Sequence, residues 1–216
     1  MSQTKITTFV FLIFNKNTMN QTKELYGVFI KAILAGLMIG FGCIIYLMCT
    51  DKIVGAFLFS FGLLTIICRD LYLYTSKIGY LKEIGLAKIF VTIIGNFIGT
   101  FILGTAVQFT RLQPNIEKVV TPKLTDSLPS IFILSIACGI MMYLAADSYK
   151  KSKSWMFVML PIAVFILSGF EHSIANMCYF TIANAWEPST FLMIVTMILG
   201  NGVGSFIMNL KTYKAE

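Results

Sequence analysis

Charge is scarce in this sequence: Asp, Glu, Lys and Arg make up 12% of its 216 residues against 57% hydrophobic ones, and the mean hydropathy is +0.81. That balance excludes an ordinary soluble protein. A bilayer crossing takes about 20 apolar residues, so the chain has room for roughly six or seven crossings and no soluble domain besides. Paired cysteines are lacking too. Cys43, Cys49, Cys68, Cys138 and Cys178 are scattered through apolar runs; without metal-ligand spacing they read as packing or lipid-facing residues, and neither a metal nor another cofactor is expected. Histidine is almost absent, with His172 the only one. A net charge of +7 points toward nucleic acid at first sight, but the lysines sit in short hydrophilic breaks between apolar runs, so no nucleic-acid partner is expected.

Residues 1–27 are mixed and contain one short apolar run, ITTFVFLIF at 6–14. It is too brief to span and no small-residue cleavage site follows it, which predicts a cytoplasmic or interfacial segment, with Met19 as a candidate alternative start. Residues 28–210 then form the predicted channel domain, with a cytoplasmic tail at 211–216. Its first span runs from about 28 to 49, the third from about 85 to 107, the fourth from about 128 to 146 and the sixth from about 189 to 210. The second begins near Ile53 and meets Arg69 and Asp70 after about 16 residues; the fifth, from about 155 to 184, is interrupted around Ser168 to Ala175.

Six spans put both termini and the second and fourth loops on one face. Twelve basic residues then fall on that face and four on the other, with Arg69 unassigned, which predicts a multi-pass protein of the cell membrane with both termini cytoplasmic. The segments IIGNFIGTF (93–101) and ILGNGVGSF (198–206) share a G-N-x-x-G core, and each closes a set of three spans. Three crossings per half oppose the halves, as in an inverted repeat, and the middle span of each is the broken one. Unwound backbone at membrane depth is tolerated only where it is buried or lines a cavity. A site is therefore expected between LYLYTSK (71–77) and FEHSIANM (170–177).

His172 leads the candidates, because a titratable side chain at membrane depth is costly and is usually kept for substrate, proton or ion passage. Thr75 offers a hydroxyl at the other break, for His172 or a permeant. Asn176, one turn beyond His172, is expected to satisfy free carbonyls, and Glu171 to accept from exposed backbone N–H groups. Lys123 sits in a predicted outer loop, TPKLTDSLPS, where a solvated side chain is the plain reading. The two G-N-x-x-G segments read as close helix contacts. No nucleophile motif or metal set surrounds His172, so catalytic residues and an enzyme are not expected.

These residues carry a family resemblance. SGFEHSIANM (168–177) is similar, almost residue for residue, to the fifth-span signature of the formate–nitrite transporter family, and LYT (73–75) resembles its leucine-aromatic-threonine motif. With LGNGVGS, the resemblance covers about residues 23–210. It implies an aquaporin-like fold of six spans, assembled as a homopentamer with a pore in each protomer. It also implies a central histidine at His172 with Thr75 as hydroxyl partner, and apolar constrictions at Phe59, Leu63, Leu73, Tyr74, Met142 and Phe165. Lys123 falls where the family places an outer lysine that draws in anions. Gly139 stands where many members carry an asparagine that bonds the pore threonine, and the short chain resembles the branch that includes hydrosulfide channels.

The expected function is passage of small monovalent weak-acid anions such as formate, nitrite or hydrosulfide, with protons as partners. Dry constrictions oppose a bare charge, so the permeant would cross once protonated. The alternative is a neutral small-solute pore of aquaporin type, which would need a selectivity arginine and a second asparagine half-helix motif that are not seen here. A membrane enzyme would need a further catalytic group opposite His172, and a scaffold would conduct nothing.

Overall fold

The structure, a computed structural model, describes residues 3–112 and 114–212 of the chain. It is all-helical among the described residues. In chain order the helices are α1 (Gln3–Met48), α2 (Lys52–Cys68), α3 (Tyr74–Lys77) with a 3-10 turn (Ile78–Tyr80), α4 (Leu81–Ile84), α5 (Leu86–Gln108), α6 (Glu117–Leu124), α7 (Leu128–Ser152), α8 (Met156–Leu167), α9 (Ser173–Ile182) and α10 (Pro188–Thr212). Four stretches are long and apolar enough to cross a bilayer: Met19–Met48, Leu86–Gln108, Leu128–Ser152 and Pro188–Leu210. The apolar helices α2 and α8 are shorter, at 17 and 12 residues.

The predicted N-terminal segment and first span are one helix. No proline lies between Gln3 and Met48 to remove a backbone donor, so nothing stops α1 at residue 27. At the other end Lys211 and Thr212 still belong to α10, and 213–216 of the predicted tail lie outside the described residues.

The helix ends have local causes. The Asp51 carboxylate accepts from the Ile53 and Val54 N–H groups and starts α2, at 2.8 and 3.0 Å. Ser127 caps α7 by accepting from Ser130 N–H. Helices α2 and α8 stop in the same way, by a Schellman turn. In α2, Asp70 N–H donates to the Ile67 carbonyl and Leu71 N–H to that of Ile66; in α8, Gly169 N–H donates to Ile166 and Phe170 N–H to Phe165. The left-handed residue is Asp70 (φ 46°) in one and Gly169 (φ 70°) in the other. An aspartate there carries a steric cost that glycine avoids. Its carboxylate is held by Lys77 at 3.0 Å and Lys31 at 3.2 Å, which is why Arg69 and Asp70 end the helix where they do.

Helix α1 packs along α5, and α7 along α10, while α2 lies between α1 and α8. Both long pairs close on glycine. A Cβ at Gly36 would strike the Asn96 carbonyl and one at Gly99 the Ile33 carbonyl; likewise Gly139 faces the Asn201 carbonyl and Gly204 that of Ile136. Of the five cysteines, Cys43, Cys138 and Cys178 are buried rather than lipid-facing. Large apolar side chains such as Phe90, Phe101, Phe191 and Leu199 cover the outside.

Substituting Gly139 by leucine is expected to destabilise the protein by about 1–3 kcal/mol or more, since the opposing backbone has nowhere to move. Gly27→Ala, where nothing lies within 4 Å of the new methyl, should be neutral or stabilising. Thermal unfolding in detergent checks the contrast, and equal melting points would contradict the glycine contacts.

Candidate functional site

Two interrupted stretches meet at the centre, and one asparagine supports each. Asn96 of α5 accepts from Tyr74 N–H at 2.8 Å and donates to the Ala32 and Tyr72 carbonyls, both at 2.8 Å. Asn201 of α10 accepts from Ser173 N–H at 2.9 Å and donates to the Ser135 and Glu171 carbonyls at 2.9 and 2.8 Å. Each amide thus satisfies one N–H and one carbonyl that a break leaves open, and ties them to a carbonyl of an intact helix, α1 or α7. Thr100 and Ser205, four residues on, donate to the Asn96 and Asn201 carbonyls respectively. The two asparagines of the G-N-x-x-G segments, expected as helix contacts, are therefore also the anchors of both breaks. The residues they position correspond: Leu73 precedes one bonded N–H, and His172 the other.

His172 is 1% exposed and forms the N-cap of α9. Its Nδ1 accepts from Ala175 N–H at 3.1 Å, so that nitrogen carries no proton and the neutral ring keeps its hydrogen on Nε2. Nε2 lies 3.0 Å from Thr75 Oγ1 and therefore donates to it. The structure thus brings Thr75 and His172 together across the two breaks. Phe165 stacks on the imidazole with centroids 5.7 Å apart, and Phe59 meets Phe165 edge-on at 5.9 Å. Leu63, Leu73 and Met142 are fully buried in the same core. Tyr74 is also buried, but its hydroxyl donates to the Ile198 carbonyl at 2.8 Å, which turns it toward α10. Gly139 has no room for an asparagine, because it faces the Asn201 backbone; among the described residues Thr75 Oγ1 bonds His172 alone.

Lys123 and Glu171 differ from expectation. Lys123 lies not in a loop but on the last turn of α6, a helix that carries Pro122 within it; proline and polar neighbours disguised it in the sequence. Its ammonium donates to both Glu171 oxygens, at 2.8 and 2.7 Å. Glu171 accepts from this ion pair and from Asn176 Nδ2 at 2.7 Å rather than from exposed backbone N–H groups. Asn176 Nδ2 also reaches the His172 carbonyl at 3.0 Å, while its Oδ1 accepts no hydrogen bond among the described residues. With side-chain exposures of 13% and 4%, Lys123 and Glu171 form a largely desolvated pair.

Two cavities flank these groups. One of about 310 Å3 is lined by Lys123, Glu171, His172, Asn176 and Phe165, and touches α7 at Leu134. Another of about 170 Å3 is lined by Asp70, Ser76, Lys77, Lys150 and Lys153, and touches α7 at Tyr149. At 1.5 Å per residue, Leu134 and Ala146, the α7 residue of the second cavity nearest to it, are roughly 18 Å apart along that helix. The Thr75–His172 pair stands in the core between them, since His172 walls one cavity and Ser76, beside Thr75, the other.

A helical, multi-pass membrane protein with two interrupted helices meeting at a buried histidine is the class this geometry defines. The formate/nitrite transporter family model matches residues 10–214. The chain belongs to that family. It is 30% identical over 187 residues to the formate channel FocA of Escherichia coli strain K12, covering 72% of this chain and 66% of that relative's length. It is 29% identical over 131 residues to the uncharacterized transporter YwcJ of Bacillus subtilis, covering 53% of this chain and 51% of that relative. Its fold is shared with the structure "Pentameric formate channel with formate bound", at a TM-score of 0.76 and 24% identity over 89% of this chain and 97% of that one. It is shared too with an "FNT family ion channel", at 0.79 and 20% over 91% and 92%.

Lys123→Met leaves the Glu171 carboxylate buried without its cation and should cost about 3–5 kcal/mol of stability. Adding Glu171→Gln should recover most of that loss. A double-mutant cycle on melting temperature in detergent measures it, and strict additivity would mean that the two side chains do not act as a pair.

Proposed function

We propose that this chain is a membrane channel for small monovalent weak-acid anions, of the size and acidity of formate, nitrite or hydrosulfide. The observation that carries this reading is the Thr75–His172 hydrogen bond, buried among aromatic and aliphatic side chains with a cavity on either side. On this reading α2 with α3, and α8 with α9, are the two broken crossings of a six-span protomer, and the matching sets of bonds around Asn96 and Asn201 reflect an inverted, aquaporin-like repeat. Both termini lie on the basic, cytoplasmic face of the cell membrane, and the protomers assemble as a homopentamer. The family membership supports transport, and the pentamer follows the name of the structural neighbour.

The barrier is electrostatic. A bare anion between Phe59, Phe165, Leu63, Leu73, Tyr74 and Met142 would lose its water and find few donors, at a cost of several kcal/mol. A neutral acid would not. An anion is drawn into the larger cavity by Lys123, whose ammonium it shares with Glu171; it takes a proton from solvent there and crosses as the uncharged acid. The Thr75 hydroxyl, which accepts from the Nε2–H of His172, offers that acid its own hydrogen. A neutral ring does not trap an anion as a cation would, which suits rapid release.

In proteoliposomes, flux of formate, nitrite and hydrosulfide should exceed that of chloride and rise as the pH falls, because lower pH raises the neutral fraction. His172→Phe should reduce it to the rate of empty liposomes while the protein still assembles. Liposome swelling that is independent of pH, without anion flux, would overturn the proposal in favour of a neutral-solute pore; flux unchanged in His172→Phe would remove the histidine from it.

A further inference from the structure

The two cavities differ in charge. The larger one is balanced, with Lys118 and Lys123 facing Asp126 and Glu171. The smaller one, about 170 Å3, is lined by Lys77, Lys150 and Lys153 against the single carboxylate of Asp70. That carboxylate is already shared by Lys77 at 3.0 Å and by Lys31 from α1 at 3.2 Å. Lys150 and Lys153 make no ion pair among the described residues. Their ammoniums lie instead over aromatic rings, 3.6 Å from the Tyr80 centroid and 5.9 Å from that of Tyr149. Asp147, one turn from Lys150, is held by Lys151 and the Tyr80 hydroxyl. Lys150 is within electrostatic reach of Lys77 across the space, and also of the carboxylates of Asp147, Asp70 and Glu83.

We propose that this smaller cavity is a binding site for a divalent oxyanion of the inorganic phosphate class, held by Lys77, Lys150 and Lys153. The charge count selects the ligand: the lining carries two positive charges in excess, which a dianion neutralises and a monovalent weak acid does not. Lysine suits the task, since its ammonium is a mobile point charge with three donors and reaches a tetrahedral anion from several sides. A phosphodiester headgroup carries one negative charge only and matches less well. Ser76, next in sequence to Thr75, lines the same space, so under the proposed function a bound dianion occupies the approach to the Thr75–His172 pair from that side. There it competes with the permeant and throttles flux; the binding itself does not depend on that reading.

The test uses the full chain purified in detergent, with inorganic phosphate as the probe and chloride at matched ionic strength as the control. Phosphate should raise the melting temperature by about 2–4 °C more than chloride, and the gain should vanish in the double variant Lys150→Gln with Lys153→Gln but persist in Lys150→Arg. Equal effects of phosphate and chloride, or a gain that survives in the double variant, would overturn the proposal. In phosphatidylcholine liposomes, phosphate on the lysine-rich face should lower formate flux several-fold for the unaltered protein and not for the double variant. A melting shift confirmed in protein that carries no anion flux would uphold the site and sink the transport reading. Flux without any phosphate-specific shift would do the reverse.

Discussion

Every unusual feature of this protein depends on satisfying open backbone groups inside a region that excludes water. A helix that stops at membrane depth exposes donors and acceptors, each costing several kcal/mol if left bare. This chain stops two helices inside its buried core and supports each restart with one asparagine. Asn96 and Asn201 each take one N–H and two carbonyls, and reach them because glycines bring α1 onto α5 and α7 onto α10 at backbone distance. Small residues and amide side chains are thus one device. The glycines set the distance, and the amide uses it.

Electrostatics follow from the same frame. The restart of α9 places His172 at its N-cap, where Nδ1 is occupied by Ala175 N–H and only Nε2 is left to face Thr75. The helix terminus therefore decides the tautomer. One residue earlier, the Glu171 carbonyl is fixed by Asn201, and its side chain turns to Lys123 and Asn176. Three consecutive residues thus carry three separate tasks: the Glu171 carboxylate balances a buried lysine, the His172 ring faces the hydroxyl, and the Ser173 N–H anchors the break. No regular helix could aim adjacent side chains and backbone groups in this way.

Much of this was legible in the sequence, and the limits are physical. Apolar runs set the helices to within a few residues, as with α5 and α10, because burial in lipid demands continuous hydrophobicity. The breaks were visible at Arg69–Asp70 and around His172, where charge or glycine interrupts an apolar run, and these implied that Thr75 and His172 would meet. Partners distant in the chain were not legible. Nothing local to Lys123 signals that Glu171, 48 residues on, will take its charge, and a proline and polar neighbours hid the short helix that carries it. The left-handed Asp70 and its two lysines were equally silent, since the stabilising Lys31 sits a whole helix away. Gly139 was legible as a departure from the family's asparagine, but its reason was not: the opposing Asn201 backbone leaves no room for a larger side chain.

The two matching sets of asparagine bonds also show where chemistry entered a structural pattern. By the bonds that Asn96 and Asn201 make, Tyr74 N–H corresponds to Ser173 N–H, so Leu73 and His172 hold the same place in the two restarts. Both restarts are anchored alike, yet Leu73 has no side-chain bond to its helix, whereas the imidazole caps its own. The same correspondence matches Thr75 with Ile174, so Leu73 and Ile174 are the apolar counterparts of His172 and Thr75. Only one of the two restarts therefore carries a ring and a hydroxyl. The asparagine anchoring occurs twice but the titratable group once, and the proposed passage of a neutral acid needs that asymmetry: one polar step, enclosed by apolar walls.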